Sequence, residues 1–193
     1  MSGQDIKSRP VYTPLARDPA GRAHLLIIDD AAPPAEAFAP GTSAADFPET
    51  WSVAAHSQAL PAPLAGNGAQ AFRSASHLIA MLRHRLARET MGLRLYAIGA
   101  EHFCWDVAAC ASAAGMGRDE FFLYAAGKPA RRVVCVHCRT LNEGVSTNLI
   151  TCTGCHARLF VRDHFSRLGN AFMGVQIDAE VPGETIEIEE LSA

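Results

Sequence analysis

Four of the six cysteines in this 193-residue sequence stand in two Cys-x-x-Cys pairs. Cys135 and Cys138 form the first pair, Cys152 and Cys155 form the second, and 13 residues separate the pairs. Each pair can make a tight turn, and the intervening segment can return as a hairpin, so four thiolates can meet at the corners of a tetrahedron. The spacing therefore predicts a metal site. Zn²⁺ is the first choice, because this ion accepts a closed shell of four thiolates, and iron is the alternative.

Two disulfides, or four free thiols in a core, are the alternatives to a metal site. The sequence opens with polar residues rather than an apolar signal segment, which predicts a cytoplasmic protein whose thiols stay reduced. We therefore favour the metal site over disulfides. His137 and His156 stand beside the cysteines, but a set of four thiolates needs neither of them. If the metal is iron, the module is rubredoxin-like and could relay an electron.

Charge is distributed unevenly along the chain, although the formal net charge is only -3. Residues 128–167 contain seven bases and two acids, whereas residues 178–190 contain six acids and no base. This division predicts either an anionic partner or an internal pairing of the two segments. A nucleic-acid-binding module is one alternative, but the acidic tail and the sequence pI of about 6.2 disfavour it. No apolar stretch is long enough to predict a membrane helix.

The order of predicted elements indicates how the chain is organised. Residues 1–23 hold three prolines and predict an N-terminal arm that orders by lying on another part of the protein. Residues 24–128 predict a small open α/β domain with a parallel sheet and right-handed crossovers. Its predicted strands cover 24–28, 51–55, 93–98 and 121–124, its helices run from 74 towards Gly92 and over 102–114, and prolines and glycines at 61–68 predict a loop. Residues 129–177 predict a metal-ribbon module, and 178–193 an acidic tail.

Several residues outside the four cysteines are candidates for a site. A dense polar cluster of Arg162, Asp163, His164, Ser166 and Arg167 follows the second cysteine pair and predicts a surface for partner docking, with a solvated loop as the alternative. Gly99 and His102 stand at the carboxyl end of a predicted parallel strand, where such sheets bind ligands, although we favour a structural role for His102. Cys104 and Cys110 fall on different faces of one predicted helix, and we expect both thiols to be buried.

The α/β half resembles the pyridine-nucleotide domain of ferredoxin reductases over residues 93–127. In that family a strand ends in a Cys-Gly-Pro turn, and Ile98-Gly99-Ala100 stands in its place here. The family also needs a glycine-rich turn after its first strand, so that backbone amides can approach a pyrophosphate. This chain instead has Asp29-Asp30-Ala31-Ala32-Pro33-Pro34, whose two carboxylates would repel phosphate. We therefore expect a domain of reductase ancestry that does not bind NAD(P)H and serves for packing.

A second resemblance covers most of the chain. The α/β half, the two cysteine pairs, the polar cluster at 162–167 and the ending Glu180-Val181-Pro182-Gly183-Glu184 are similar to the small subunit of bacterial dimethylamine monooxygenase. That resemblance implies a multi-subunit oxygenase that uses NAD(P)H and O₂ to convert dimethylamine to methylamine and formaldehyde. It also implies partner subunits that carry haem, flavin and iron–sulfur groups. The present chain would then have no independent activity and would contribute to assembly, to the geometry of the electron path or to handling of the product.

Overall fold

A computed structural model describes residues 10–29, 33–53, 68–127, 130–177 and 187–191. The expected α/β class, with a parallel sheet and a four-cysteine cluster near the C-terminus, is confirmed. The chain divides into two compact units, one of Tyr12–Gly127 and one that contains the residues from Lys128 onward. Parts of the predicted arm (1–9), of the predicted strand at 51–55 (54–55), of the predicted loop (61–67) and of the acidic tail (178–186 and 192–193) lie outside the described residues.

The first unit is built on a five-stranded parallel sheet with the order β3-β2-β1-β4-β5. Its strands are β1 (Ala23–Ile28), β2 (Glu49–Val53), β3 (Ala69–Phe72), β4 (Leu93–Gly99) and β5 (Phe121–Ala125). β1 lies at the centre, and its continuous apolar run is buried on both faces, as expected of a central parallel strand. The strand β3 directly follows the stretch where prolines and glycines predicted a loop. It was missed because only Phe72 of its four residues is buried.

Two helices pack together over one face of this sheet: α1 (Ala75–Leu86) and α2 (Glu101–Ala113). The Ser74 side chain caps α1 by accepting a hydrogen bond from the His77 backbone N–H at 3.2 Å. The helix buries Leu78, Ile79, Leu82 and Leu86. α1 ends with the last residue of this buried stripe, so it is shorter than the predicted helix that Gly92 would close.

Among the residues that the structure describes, irregular segments and short 3₁₀ turns, and no α-helix, cover the opposite face of the sheet. Leu15 of the N-terminal segment pairs with the β1–β2 connection, since its N–H donates to Ala37 O at 2.7 Å and its C=O accepts from Ala39 N at 2.8 Å. Two short 3₁₀ turns in that connection bring further apolar side chains, among them Phe47, against Tyr96 of β4. Leu15 of the predicted arm is therefore part of the core on this face of the sheet.

The second unit is a five-stranded mixed sheet with the order β7-β6-β10-β9-β8. Its strands are β6 (Arg131–Cys135), β7 (Leu141–Val145), β8 (Leu149–Thr151), β9 (Arg158–Ser166) and β10 (Ala171–Gln176). β6 and β10 are parallel, and the other neighbours are antiparallel. The first cysteine pair lies at the β6–β7 connection and the second in the β8–β9 connection. The sheet therefore positions both pairs through hairpins whose registers are fixed.

Residues 187–191 are attached to this sheet unit by backbone pairing with the segment between β7 and β8. Thr147 and Glu190 form an antiparallel bridge, and Leu191 N donates to Ser146 O at 2.8 Å. The buried side chain of Asn148 donates to Glu187 O at 3.1 Å and accepts from Glu189 N at 2.9 Å. The end of the acidic tail thus pairs through its backbone, while its glutamate side chains remain exposed.

Neither helix of the described segments has the length and apolar character needed to cross a membrane.

Candidate metal centre

The first cysteine pair sits in a tight turn at the end of β6. Cys135 N donates to Thr140 O at 2.9 Å, and Arg139 N donates back to Cys135 O at 2.9 Å. Arg139 adopts a left-handed conformation with φ of 65°, which lets the chain reverse immediately after Cys138. These bonds hold both sulfurs of the pair on the same side of the turn.

The second pair repeats this arrangement. Cys152 N donates to Ala157 O at 2.9 Å, His156 N donates to Cys152 O at 3.0 Å, and His156 has φ of 60°. His156 therefore holds the backbone position that Arg139 holds in the first turn. This equivalence gives His156 a conformational role beside the cysteines, and the metal-ligand set needs neither it nor His137.

The four sulfurs converge to the dimensions of a tetrahedral metal shell. All four lie within 4.8 Å of one another, with 3.8 Å between the Sγ atoms of Cys135 and Cys155 and 3.6 Å between those of Cys138 and Cys152. A Zn–S bond of about 2.3 Å in a regular tetrahedron places sulfurs roughly 3.8 Å apart. The residues fit a metal ion, and the chemistry of the donor set suits zinc or a single iron. Cys135 and Cys152 are fully buried, whereas Cys138 and Cys155 are half-buried.

Hydrogen bonding and burial divide the thiols by acidity. The Thr140 hydroxyl, 3.2 Å from Cys138 Sγ, is the main cause that lowers the pKa of Cys138 to about 6. The backbone N–H of Cys155 lowers the pKa of Cys152. The Ala157 N–H also favours a Cys155 thiolate, but burial and the other three sulfurs outweigh it and raise the pKa of Cys155 to about 11. A cation among them would favour the fully deprotonated set that metal binding requires.

Asn142 joins the two cysteine turns, and no sequence motif indicated it. Its side chain is 4% exposed, and its Oδ1 accepts from Thr153 N at 2.9 Å and from Thr153 Oγ1 at 3.1 Å in the second turn. Its Nδ2 donates to Val133 O and to Thr140 O, both at 3.3 Å, and lies 3.8 Å from Cys152 Sγ. One amide therefore fixes the distance between the turns and also faces a ligand sulfur, as residues behind metal ligands commonly do.

The two turns also touch directly at Gly154. A Cβ atom at this position would lie 2.1 Å from Thr140 Oγ1 and 2.9 Å from Thr140 Cβ, so only glycine fits without a shift of the first turn. The Gly154 N–H also points towards Cys152 Sγ at 3.4 Å. Close contact between the turns is what brings the four sulfurs within range of one ion.

The polar cluster predicted at 162–167 lies mostly on β9, where the strand bulges. Arg162 pairs with Met173 and Phe165 pairs with Phe172, so Asp163 and His164 are two extra residues between consecutive partners. The alternation expected for a strand is therefore broken, and Arg162, Asp163 and His164 are all exposed, while Ser166 is half-buried and Arg167 follows it in an exposed turn. The cluster lies in a different part of the unit from the cysteine turns, since these precede β9 at its other end.

Arg131 supports this bulge from β6. Its side chain is 6% exposed, and its Nη1 donates to Asp163 Oδ1 at 2.6 Å. Its guanidinium carbon also lies 4.3 Å from the centroid of the Phe172 ring. The buried guanidinium of Arg131 thus fixes the carboxylate of Asp163. These contacts stabilise the bulge in β9.

At the predicted ligand edge of the first unit, beside Gly99 and His102, the side chain of Asp29 lies against the start of α2. The Asp29 carboxylate accepts from Ala100 N at 3.4 Å at the start of α2, the helix end that could otherwise receive an anion. A Cβ at Gly99, which has φ of 156°, would lie 2.3 Å from Asp29 Cβ. His102, on the first turn of α2, is half-buried.

The same end of α2 receives the N-terminal segment. Tyr12 donates its hydroxyl proton to Glu101 Oε1 at 2.8 Å and accepts from Trp105 Nε1 at 2.9 Å, and burial raises the Tyr12 pKa far above its usual value of 10.

Both cysteines of α2, Cys104 and Cys110, are buried, as the sequence indicated. Cys104 Sγ lies 3.4–3.7 Å from the carbonyls of residues 97, 99 and 124, and burial raises the pKa of both thiols.

Comparison with known proteins accounts for both halves of the chain. Residues 4–121 match the N-terminal domain model of the family "Dimethylamine monooxygenase subunit DmmA-like", and residues 132–175 match its C-terminal domain model. The "Heme-dependent oxidative N-demethylase delta subunit" of Ectopseudomonas mendocina (strain ymp) is 39% identical over 116 residues, which are 60% of this chain and 66% of that protein, just under two thirds. No solved structure matches the chain. The chain belongs to this DmmA-like family, as its resemblance predicted.

Proposed function

We propose that this chain is a subunit of a haem-dependent, N-demethylating oxygenase complex and that it has no independent activity. The relative from E. mendocina, which carries the name of a demethylase subunit, supports the class of the assembly. The four converging thiols are the observation that supports a structural role for this chain. We propose further that the assembly oxidises dimethylamine to methylamine and formaldehyde with NAD(P)H and O₂. Haem would then be held by one partner subunit, and flavin and an iron–sulfur cluster by another.

In this proposal Cys135, Cys138, Cys152 and Cys155 hold Zn²⁺. A zinc ion supplies no redox chemistry here and links the two turns into one rigid body. Because such sites do not form in an unfolded chain, the free energy of metal binding becomes free energy of folding for this unit. We place the chain in the cytoplasm, since none of its six cysteines forms a disulfide and a reducing compartment keeps thiols in that state.

The second unit would contact partner subunits through the bulge on β9. Arg162, Asp163, His164, Ser166 and Arg167 form the proposed docking surface, because the bulge presents consecutive polar side chains that a regular strand would direct to opposite faces. The first unit would serve as a scaffold. The Asp29 carboxylate at the start of α2 supports this role, because it opposes a dinucleotide phosphate beside Gly99 and His102.

One observation favours a second function, electron transfer through iron. Cys138 and Cys155 are half-buried, so the site reaches the surface through one sulfur of each turn. Iron in such a site could exchange electrons with a docked partner without a change in its ligands.

Metal and activity measurements test both functions. The chain should be purified together with its co-expressed partner subunits and analysed for metal content and visible absorption. We expect about one equivalent of zinc in this chain, and loss of metal and of complex activity in Cys135→Ser and Cys152→Ser variants. A red chain that bleaches with dithionite and contains iron would support the second function. Cysteine variants with wild-type folding and activity would refute the structural role.

A further inference from the structure

The exposed side of α1 carries a stripe of histidine and methionine side chains among arginines, which the proposed scaffold role does not require. Leu78, Ile79, Leu82 and Leu86 are buried under the helix, and His77, Met81 and His84 are exposed above it, with Arg88 in the turn that follows. At 100° per residue, His77, Met81 and His84 fall in one stripe roughly 60° wide, and at 1.5 Å per residue the stripe is about 10 Å long.

All charged side chains that α1 itself carries are basic. Residues 69–88 contain no Asp or Glu, and Arg73, Arg83 and Arg88 are all exposed. The half-buried Arg85 differs from them, because it forms ion pairs with Glu49 and Glu89. A helix face that only needs to be solvated usually mixes both signs of charge, since opposite charges three or four residues apart stabilise the helix. Arg73, Arg83 and Arg88 have no acid three or four residues away.

Apolar surface is also exposed here. Met81 is 41% exposed, and Met91, three residues after Arg88, is 87% exposed. Methionine and arginine are among the residue types enriched in protein interfaces, and methionine adapts its shape to a partner surface. Met81 lies on the stripe itself, so an apolar contact that it makes with a partner would have arginine side chains around it.

We infer that the exposed face of α1 is a docking surface for a carboxylate-rich face of another subunit in the complex. This inference rests on the proposed function, since it takes the partner from the same assembly. Charge complementarity selects the partner, because a helix whose charged side chains are all basic attracts an acidic surface and repels a basic one. Met81 would pack against apolar atoms at the centre of the contact, and the arginines would lie at its rim.

A protein suits this face better than a nucleic acid. Residues 73–91 contain no Phe, Tyr or Trp on which a base could stack, and the whole chain carries a net charge of -3. The exposed Met81 side chain would find no apolar surface to pack against on a phosphate backbone. An acidic protein surface can offer both carboxylates and apolar contacts, which are the two features of this face.

Charge reversal on the full chain tests the inference. The variant Arg73→Glu/Arg88→Glu alters the face, and Arg17→Glu/Arg118→Glu makes the same change in net charge at exposed residues elsewhere in the first unit. Each chain is co-expressed with the other subunits of the complex, and its retention is measured across a salt gradient. Unfolding temperatures establish that each variant is folded.

We expect the face variant to bind the complex at least ~10-fold more weakly than wild type at low salt, with a shallower dependence on salt, while the control stays within about 2-fold. Met81→Asp should weaken binding at all salt concentrations. The inference is overturned if the face variant and Met81→Asp behave like the control. It is also overturned if the face variant keeps its place in the complex but loses binding to a random DNA duplex that the wild type binds. A wild-type chain that fails to join the complex would instead refute the proposed function.

Discussion

The clearest test of the metal centre is the removal of the amide that joins its two turns. We propose Asn142→Leu, which keeps the approximate size of the side chain and removes every hydrogen bond that it makes. Thr153 then loses the acceptor of its backbone N–H, and Cys152 Sγ loses a nearby donor. Thr140 O is less affected, because it still accepts from Cys135 N at 2.9 Å.

The expected magnitude follows from these contacts. The Thr153 N–H is only partly buried, so the loss of its acceptor costs at most the roughly 1–3 kcal/mol of a fully buried donor, and each further lost hydrogen bond costs roughly 1 kcal/mol. The metal-loaded unit should therefore lose about 2–4 kcal/mol of stability. Because the lost contacts hold the second turn beside the first, we expect metal affinity to fall by about 10- to 100-fold, as is usual for residues behind metal ligands.

Competition with a chromophoric chelator measures the metal affinity, and urea denaturation measures the stability. Asn148→Leu is the matched control, because Asn148 is also a buried amide with hydrogen bonds to backbone, but it holds residues 187–191 instead of a cysteine turn. That control should lose stability and keep its metal. Asn142→Asp keeps the acceptor and adds negative charge beside Cys152, so it should also release metal more easily than wild type. If Asn142→Leu retains metal as tightly as the control, the reasoning about the bridging amide is wrong.

Three further changes address other parts of the molecule. Gly154→Ala should destabilise the metal unit by about 1–3 kcal/mol, measured by thermal unfolding of the loaded protein, because its methyl group would overlap the Thr140 side chain. Arg131→Met should lower the stability of the same unit by about 1–3 kcal/mol, since it removes the cation from the Phe172 ring and breaks the ion pair that holds the bulge on β9. Burial lowers the pKa of His24 below 6.5, so the unfolded chain takes up the proton first as the pH falls. The first unit should therefore be fully stabilised above pH 6.5 and lose stability below it. His24→Gln should flatten this pH profile, measured by urea denaturation.

Each of these predictions has an outcome that contradicts it. An unchanged melting temperature in Gly154→Ala would mean that the turns separate without cost. A fully stable Arg131→Met would mean that packing alone maintains the bulge. A His24→Gln variant with the same loss of stability below pH 6.5 as wild type would place the responsible proton on another group.

The parts of this fold that could be predicted are those with local signals. The convergence of the two cysteine pairs was predictable from their spacing, because a Cys-x-x-Cys turn closes within a few residues. β1 and β4 were predictable since their apolar runs are nearly continuous. The buried stripe of α1 was predictable from its helical period.

The parts that could not be predicted depend on contacts between distant segments. Asn142 looks like an ordinary polar strand residue until the β8–β9 turn is placed beside it, and its importance comes entirely from Thr153 and Cys152. The bulge at Asp163 and His164 arises from the register between β9 and β10, which sequence alternation alone does not reveal. β3 lies at the edge of its sheet, where a strand needs few buried side chains and leaves little pattern in the sequence.

The pairing of residues 187–191 with the segment at 146–148 has a practical consequence for protein engineering. If those residues were cut away by a protease or left out of an expression vector, the backbone N–H of Asn148 and the C=O of Ser146 that they satisfy would face solvent. An exposed run of unpaired backbone invites strands from other molecules to pair there. Shortened versions of this protein should therefore be prone to aggregation, and purification tags are better attached through a linker that leaves residue 191 and those before it in place.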